Sequence, residues 1–252
     1  MATRFIEPSI FPGEITCVYS TKVYGQLAPF REDKDQLNDA LLEKTTLHKN
    51  FFLKEIGINQ ADLVEVKQFH TDKVIKVGQT NVGRGFVDTA DAMITSEQGV
   101  ALSVVTSDCL PIFLYDPNKK VIAVVHAGWR GVYVKIIIKT IKKMKDDCEV
   151  NPADLLVWIG PHVSGTSYCF DIERYDDSPA NTYFDSLGGV IKNAKQFCVD
   201  LACIAQKQME SEAVLTRNIE VSDLDTKTDK DFFSYQAGDR TNNVCVIQMK
   251  HE

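Results

Sequence analysis

The sequence predicts an α/β fold: one domain over residues 1–252, with mixed β-sheets flanked by helices in an α/β/β/α layering. Three observations carry this expectation. Strand-like and helix-like runs alternate along the chain, a pattern that calls for sheets covered by helices. Several connections between strand-like runs are hairpin-short, so antiparallel pairs must join any parallel ones. The 252 residues, 44% apolar and 25% charged, can bury a full core, and no Pro-, Gly- or Ser-rich linker, internal repeat or low-complexity tract divides them.

Residues 31–55, REDKDQLNDALLEKTTLHKNFFLKE, place Leu37, Leu41 and Leu42 at helical spacing ahead of Phe51 and Phe52. DLVEVKQFH then alternates as a strand, HTDK turns, and VIKV resumes the extended pattern. ALSVVTSDC, PIFLYD and VIAVVH are three successive β-rich runs. VKIIIKTIKKMK and IKNAKQFCVDLACIAQKQME read as helices, the second with Phe197, Leu201 and Ile204 in a stripe suited to core packing. LLVWIG is a strand stopped at Gly160-Pro161. DFFSYQAGDRTNNVCVIQMK closes the chain as strand, loop and strand.

A net charge of −7 leaves no basic surplus to neutralise phosphates, which argues against a nucleic-acid partner. The start, MATRFIEPSI, lacks the apolar core of a signal peptide, and no run of 18 apolar residues occurs, so no membrane partner is expected and the expected location is cytoplasmic. Seven cysteines (Cys17, Cys109, Cys148, Cys169, Cys198, Cys203 and Cys245) form an odd, scattered set without C-x-x-C pairs. Such a set fits reduced thiols, most of them small core residues, better than a disulfide framework.

The middle of the chain permits a register argument. PIFLYD and VIAVVH are separated only by the polar turn PNKK, residues 117–120. If they close as a hairpin there, Asp116 faces Val121 and His126 faces Pro111. Cys109, two residues from Pro111, then becomes the diagonal neighbour of His126, roughly 7–8 Å away between backbones and within reach of a shared atom. His70 ends VEVKQFH as His126 ends its own strand, and it is the natural third member. A His-Cys-His set leaves a tetrahedral zinc with one open position, the pattern of a catalytic site. Two other readings use the same residues. Cys109 as a nucleophile with His126 as its base needs only those two in contact, and the plain structural reading makes all three strand-end or core residues.

KQFHTDKV, DTADAMITSEQGVALSVVTSDCLPIFLYDP, VIAVVHAGWRGV, IGPHVSGTSY and FFSY occur in the order found in the laccase-domain family. Its members are variously called multicopper polyphenol oxidoreductases, peptidoglycan-editing factors and zinc-dependent purine nucleoside phosphorylases. The chain resembles that family from about Ser20 to its C-terminus. The resemblance implies metal ligation by the His of Q-x-H, the Cys of D-C-L-P and the His of H-A-G-W-R-G, which fall on His70, Cys109 and His126. It further implies zinc as cofactor, with copper binding possible in vitro, and small-molecule substrates, a purine nucleoside and phosphate. Adenosine deamination is a second activity that it implies. The chain also departs from the family pattern. Thr71 stands for a usual Gly, Lys67 for Asn, Lys22 for Arg, Gln236 for Arg, and TNN, ending in Asn243, for T-G-R. These changes fall in the anion-recognising shell and leave the three ligands intact.

Other residues are candidates around that centre. Arg130, always charged, suits a phosphate, carboxylate or developing oxyanion. Lys22 is the second cation for phosphate. Asp108, beside Cys109, either orients a ligand, moves a proton or caps a turn. Asp91 and Asp88 in VDTADAM are cavity-lining candidates. Gln68 shares a strand face with His70 and can read a base or sugar edge. Tyr168 resembles the family's motif tyrosine, while His162, after Gly-Pro, reads as structural and His48 and His251 carry no signal. With five histidines and no H-x-H pair, the chain cannot assemble a multicopper cluster, so phenol oxidation would be a side activity of adventitious copper. Hydrolysis of a cell-wall precursor or other amide bond, and a non-enzymatic metal-binding role, are the alternatives from other classes.

Overall fold

The structure, a computed structural model, describes residues 4–29 and 39–251. In chain order its first strands are β1 (Phe5–Ile6), β2 (Ile15–Ser20), β3 (Ala28–Pro29), β4 (Leu63–Lys67), β5 (Val74–Lys76), β6 (Phe86–Thr89), β7 (Ala92–Thr95) and β8 (Ala101–Thr106). They are followed by β9 (Leu110–Asp116), β10 (Val121–Ala127), β11 (Leu156–Ile159), β12 (Cys169–Asp171), β13 (Val190–Lys192), β14 (Gln196–Val199), β15 (Ile219–Val221) and β16 (Thr241–Met249). The helices are α1 (Asp39–Glu55), α2 (Trp129–Tyr133), α3 (Ile136–Cys148), α4 (Pro179–Ser186) and α5 (Leu201–Ser211).

The first sheet runs β1-β2-β16-β8-β4-β6, with β3 also on β16, and the second runs β15-β11-β9-β10-β7-β5. Both are mixed. β16 is antiparallel to β2 and β8 while β4 is parallel to β8 and β6; β10 is antiparallel to β9 and β7 while β5 is parallel to β7. Alternation along the strands sends successive side chains to different layers. Met93, Phe113, Ile122, Val124 and Trp158 of the second sheet meet Val64, Leu102, Val104 and Cys245 of the first between the sheets. Ala123 and Val125 point the other way, into a core shared with Ile137, Ile141 and Met144 of α3 and Ile204 of α5. On the far face of the first sheet Val18, Val244 and Val246 pack against Phe52 and Leu53 of α1. The expected mixed α/β fold with its α/β/β/α layers is therefore the fold of the protein.

The β9–β10 hairpin closes in the expected register, with Asp116 opposite Val121 and His126 opposite Pro111. Asp116 fixes the turn, because its Oδ1 accepts the main-chain N–H groups of Asn118 (2.8 Å) and Lys119 (3.0 Å).

Several expectations are corrected. The helix expected over 191–210 is β13, a turn, β14 and only then α5. Phe197, Leu201 and Ile204 do share one core, but Phe197 enters it from a strand. Asn193 explains the break: its Oδ1 accepts the N–H groups of Lys195 and Gln196, while Asp200 caps α5 by accepting the N–H of Cys203 at 2.8 Å. The first strand expected in DFFSYQAGDR is a run of turns, and only β16 is extended there. β2, wholly buried, was not expected at all. Of the helix expected over 31–55, Leu37 lies outside the described residues, and Leu42 and Phe51 face solvent while Phe52 and Leu53 are buried. The expectation of seven reduced thiols is also corrected. Cys169 and Cys198 are joined as a disulfide because the antiparallel β12–β14 pair sets them directly opposite one another.

Candidate metal centre

The centre forms where the ends of both sheets meet. After β4, the Gln68 carboxamide continues the pairing to β8 by side chain: its Nε2 donates to the Val105 carbonyl and its Oε1 accepts the Val105 N–H, each at 2.8 Å. The chain then bends at His70, whose φ of +58° is a left-handed conformation that a side chain rarely adopts. Cys109 lies in the bend between β8 and β9, next to Asp108 at φ +84°. His126 is buried in β10.

All three donor atoms lie within 4.8 Å of one another. Cys109 Sγ is 3.8 Å from His70 Nε2, and the two imidazoles meet edge to face with centroids 4.8 Å apart. Bonds of about 2.0–2.1 Å to nitrogen and 2.3 Å to sulfur at a tetrahedral angle separate N and S by about 3.5 Å, so the donors fit a single ion of zinc's size. Gly128 makes the convergence possible, for a Cβ there would stand 2.7 Å from His70 Cδ2 and 2.8 Å from Cys109 Sγ. The glycine of H-A-G is thus required by close approach of the main chain to two ligands.

Asp91, with no exposed surface, stands behind the ligands. Its Oδ1 is 2.8 Å from His126 Nδ1 and accepts the His70 N–H at 3.0 Å. Its Oδ2 accepts the N–H groups of Phe69 (3.2 Å) and Thr71 (2.6 Å) and the Thr71 hydroxyl (2.7 Å). In the metal-free protein burial alone would raise Asp91, but His126 and these donors bring it down to about 2. Burial likewise opposes ionisation of the other two. Even so the facing imidazoles lower the Cys109 thiol to about 6, and the Cys109 thiolate and Asp91 raise His126 to about 9. The side chains alone therefore hold a thiolate–imidazolium pair, the state in which metal replaces a proton.

The remaining expected residues divide into two groups. Arg130, in the first turn of α2, is exposed, its guanidinium lies 4.6 Å over the Trp129 ring, and among the described residues that side chain has no ion pair or hydrogen bond. Tyr168 is half-buried within electrostatic range of Cys109, Asp108 and Arg130. Burial and the two negative groups outweigh the arginine and push its phenol up to about 12, so it remains a donor. The others have partners within the chain. Asp108 accepts from the Thr226 hydroxyl and from the Gln236 N–H, both at 2.7 Å, tying two late segments to the Cys109 bend. Lys22 pairs with Asp239 at 2.9 Å. Asn243 is buried and braces Thr106 and Phe233 through its carboxamide. Asp88 is an exposed partner of Lys73 at 2.8 Å. His162 is buried with Nδ1 donating to the Gly160 carbonyl at 2.8 Å, and burial lowers its pKa.

Sequence reasoning missed Gly128, Thr71 and Thr226 as parts of this architecture, as well as two aromatic surfaces beside the ligands. Phe69 is 61% exposed and Trp129 37% exposed, each next in sequence to the ligand bend or turn. A large apolar ring left in water directly beside a polar site is the available signal.

Residues 35–249 match the family described as multi-copper polyphenol oxidoreductase laccase. A protein of Clostridium acetobutylicum named purine nucleoside phosphorylase is 33% identical over 180 residues, covering 71% of this chain and 72% of that one. Another so named, from Corynebacterium glutamicum, is 28% identical over 205 residues, 79% of each chain. The crystal structure of YlmD from Geobacillus stearothermophilus has a TM-score of 0.84 at 20% identity, covering 100% of this chain and 98% of that one, a likeness of fold. With the family match running over residues 35–249 and so including His70, Cys109 and His126, the chain belongs to the multi-copper polyphenol oxidoreductase laccase family.

Proposed function

We propose that this chain is a zinc-dependent purine nucleoside phosphorylase, with adenosine deamination as a side activity of the same centre. The observation that carries the reading is a guanidinium with no ion pair among the described residues, Arg130, in the helix α2 that follows a three-donor metal site. The names of the relatives supply the substrate class. His70, Cys109 and His126 would hold zinc, which would supply Lewis acidity beside the substrate. Arg130 receives phosphate in bidentate fashion. A phosphate oxygen bonds to the ribose C1′ while the glycosidic C–N bond breaks, and the purine leaves with the electron pair and takes up a proton. Tyr168, kept protonated, donates that proton or hydrogen-bonds the leaving base. Trp129 and Phe69 offer faces to the base.

The test is incubation of zinc-loaded protein with adenosine or inosine and phosphate, followed by measurement of free base and ribose 1-phosphate. Both should appear, in a phosphate-dependent manner. Loss of a positioned charge from a catalytic site costs about 10²–10³ in kcat, so Arg130→Ala should lose activity to that extent and keep its metal. Zinc-dependent deamination or hydrolysis without ribose 1-phosphate at high phosphate would replace this reading with the hydrolase one. A second reading, nucleophilic attack by Cys109, draws on the lowered thiol. Activity that survives chelation and is lost on alkylation would favour it.

A further inference from the structure

We infer that Asp91 is the positioning residue of the metal centre: its one buried carboxylate sets the tautomer of His126 and, through the 69–71 main chain and the Thr71 hydroxyl, holds His70 facing it. The inference rests on the metal reading of His70, Cys109 and His126, and is independent of the substrate.

The carboxylate has about four lone-pair directions, and five donors already converge on it: three main-chain N–H groups, one hydroxyl and His126 Nδ1. No acceptor capacity is left for a substrate, and Asp91 has no exposed surface by which to reach one. This places it behind the ligands, in contrast to the substrate-contacting role expected for it. Its main chain is committed as well, with its carbonyl accepting the His126 N–H at 2.8 Å. Successive N–H groups from residues 69 to 71 form a concave anion-binding cup. Closing that cup is what compensates the left-handed His70, a conformation that persists only where the surroundings over-determine it. Thr71 stands where the family usually has glycine, and here its side chain adds a donor at 2.7 Å. The departure from the family pattern therefore strengthens the cup.

An asparagine at this position cannot reproduce the arrangement. Wherever its NH₂ lies, it faces main-chain N–H groups. The orientation that displaces fewer donors puts NH₂ at the Oδ1 end, against the His70 N–H and His126 Nδ1. His126 must then present a lone pair from Nδ1 and carry its proton on Nε2, the nitrogen that the site turns toward the metal.

The test is chelator-competition zinc titration together with ¹⁵N NMR of histidine-labelled, zinc-loaded protein. In the wild type His126 should show a protonated Nδ1 and a metal-bound Nε2. Asp91→Asn should bind zinc about 10–100-fold more weakly, and Thr71→Val, which removes only the hydroxyl, should show a smaller loss, at most about tenfold. If Asp91→Asn fails to fold, the wild-type tautomer and Thr71→Val carry the test. A wild-type His126 protonated on Nε2, or a folded Asp91→Asn with unchanged affinity, overturns the role. Absence of zinc binding by the wild type would take it down with the metal assignment. None of these readouts uses a nucleoside, so they leave the phosphorylase reading to its own experiment.

Discussion

At Cys109 burial and charge act in opposite directions, and charge wins: the two imidazoles lower to about 6 a thiol that desolvation alone would raise. A thiol with a lowered pKa is the reactive thiolate above that pKa and inert below it. In metal-free protein, iodoacetamide should therefore modify Cys109 before any other cysteine, with a rate that falls as pH drops through about 6. Cys17 and Cys245, buried and pushed up, should resist, and added zinc should protect Cys109. Modification at an ordinary alkaline midpoint would refute the pairing with His126. The ligands themselves are legible in the sequence because hairpin spacing brings Cys109 to His126 and the family motifs supply His70. The role of Asp91 is not legible. Four of its five donors come from residues 69–71, about twenty positions away, and three of those are main-chain N–H groups that have no side-chain signature.

At the level of elements, the β9–β10 hairpin was readable because a polar four-residue turn between two apolar runs admits only one register. The stretch at 191–210 was not, because Phe197 of β14 falls by coincidence on the helical period of Leu201 and Ile204 in α5 while Asn193 and Asp200 impose a turn and a cap. The same misreading hid the cross-strand cysteine pair. Unreduced, denatured protein should titrate five thiols, and reduced protein all seven. Seven before reduction would show that β12 and β14 are not joined. The turn from β10 into α2 gives a sharper prediction. Gly128→Ala places a methyl 2.7–2.8 Å from His70 and Cys109. Zinc content should collapse in dialysed protein, whereas the far-UV circular dichroism stays that of the wild type, since the nearest atoms to the added methyl belong to the side chains of His70 and Cys109 and not to main chain.

For the whole molecule, composition and alternation were enough to read a mixed, layered α/β architecture. The division of the strands among the sheets was not legible. It depends on β16, the last strand, inserting between β2 and β8, a long-range pairing that no local pattern encodes. The placement of the centre follows from that assignment. His70 follows a strand of the first sheet, His126 lies in the second, and Cys109 sits on the bend by which the chain passes from β8 to β9, from one sheet to the other.

A cation held in this way cannot seed folding, because His70 joins the Cys109–His126 pair only once the two sheets dock. It acts as a latch closed at the end of the reaction, and its binding energy is absent from the folding transition state. Zinc at a hundredfold excess over its Kd should stabilise the native state by about 2.7 kcal/mol. That whole amount should appear as slower unfolding, about a hundredfold, with the refolding limb of the chevron unmoved. A refolding rate that climbs with zinc would mean the ligands meet early, before the sheets do.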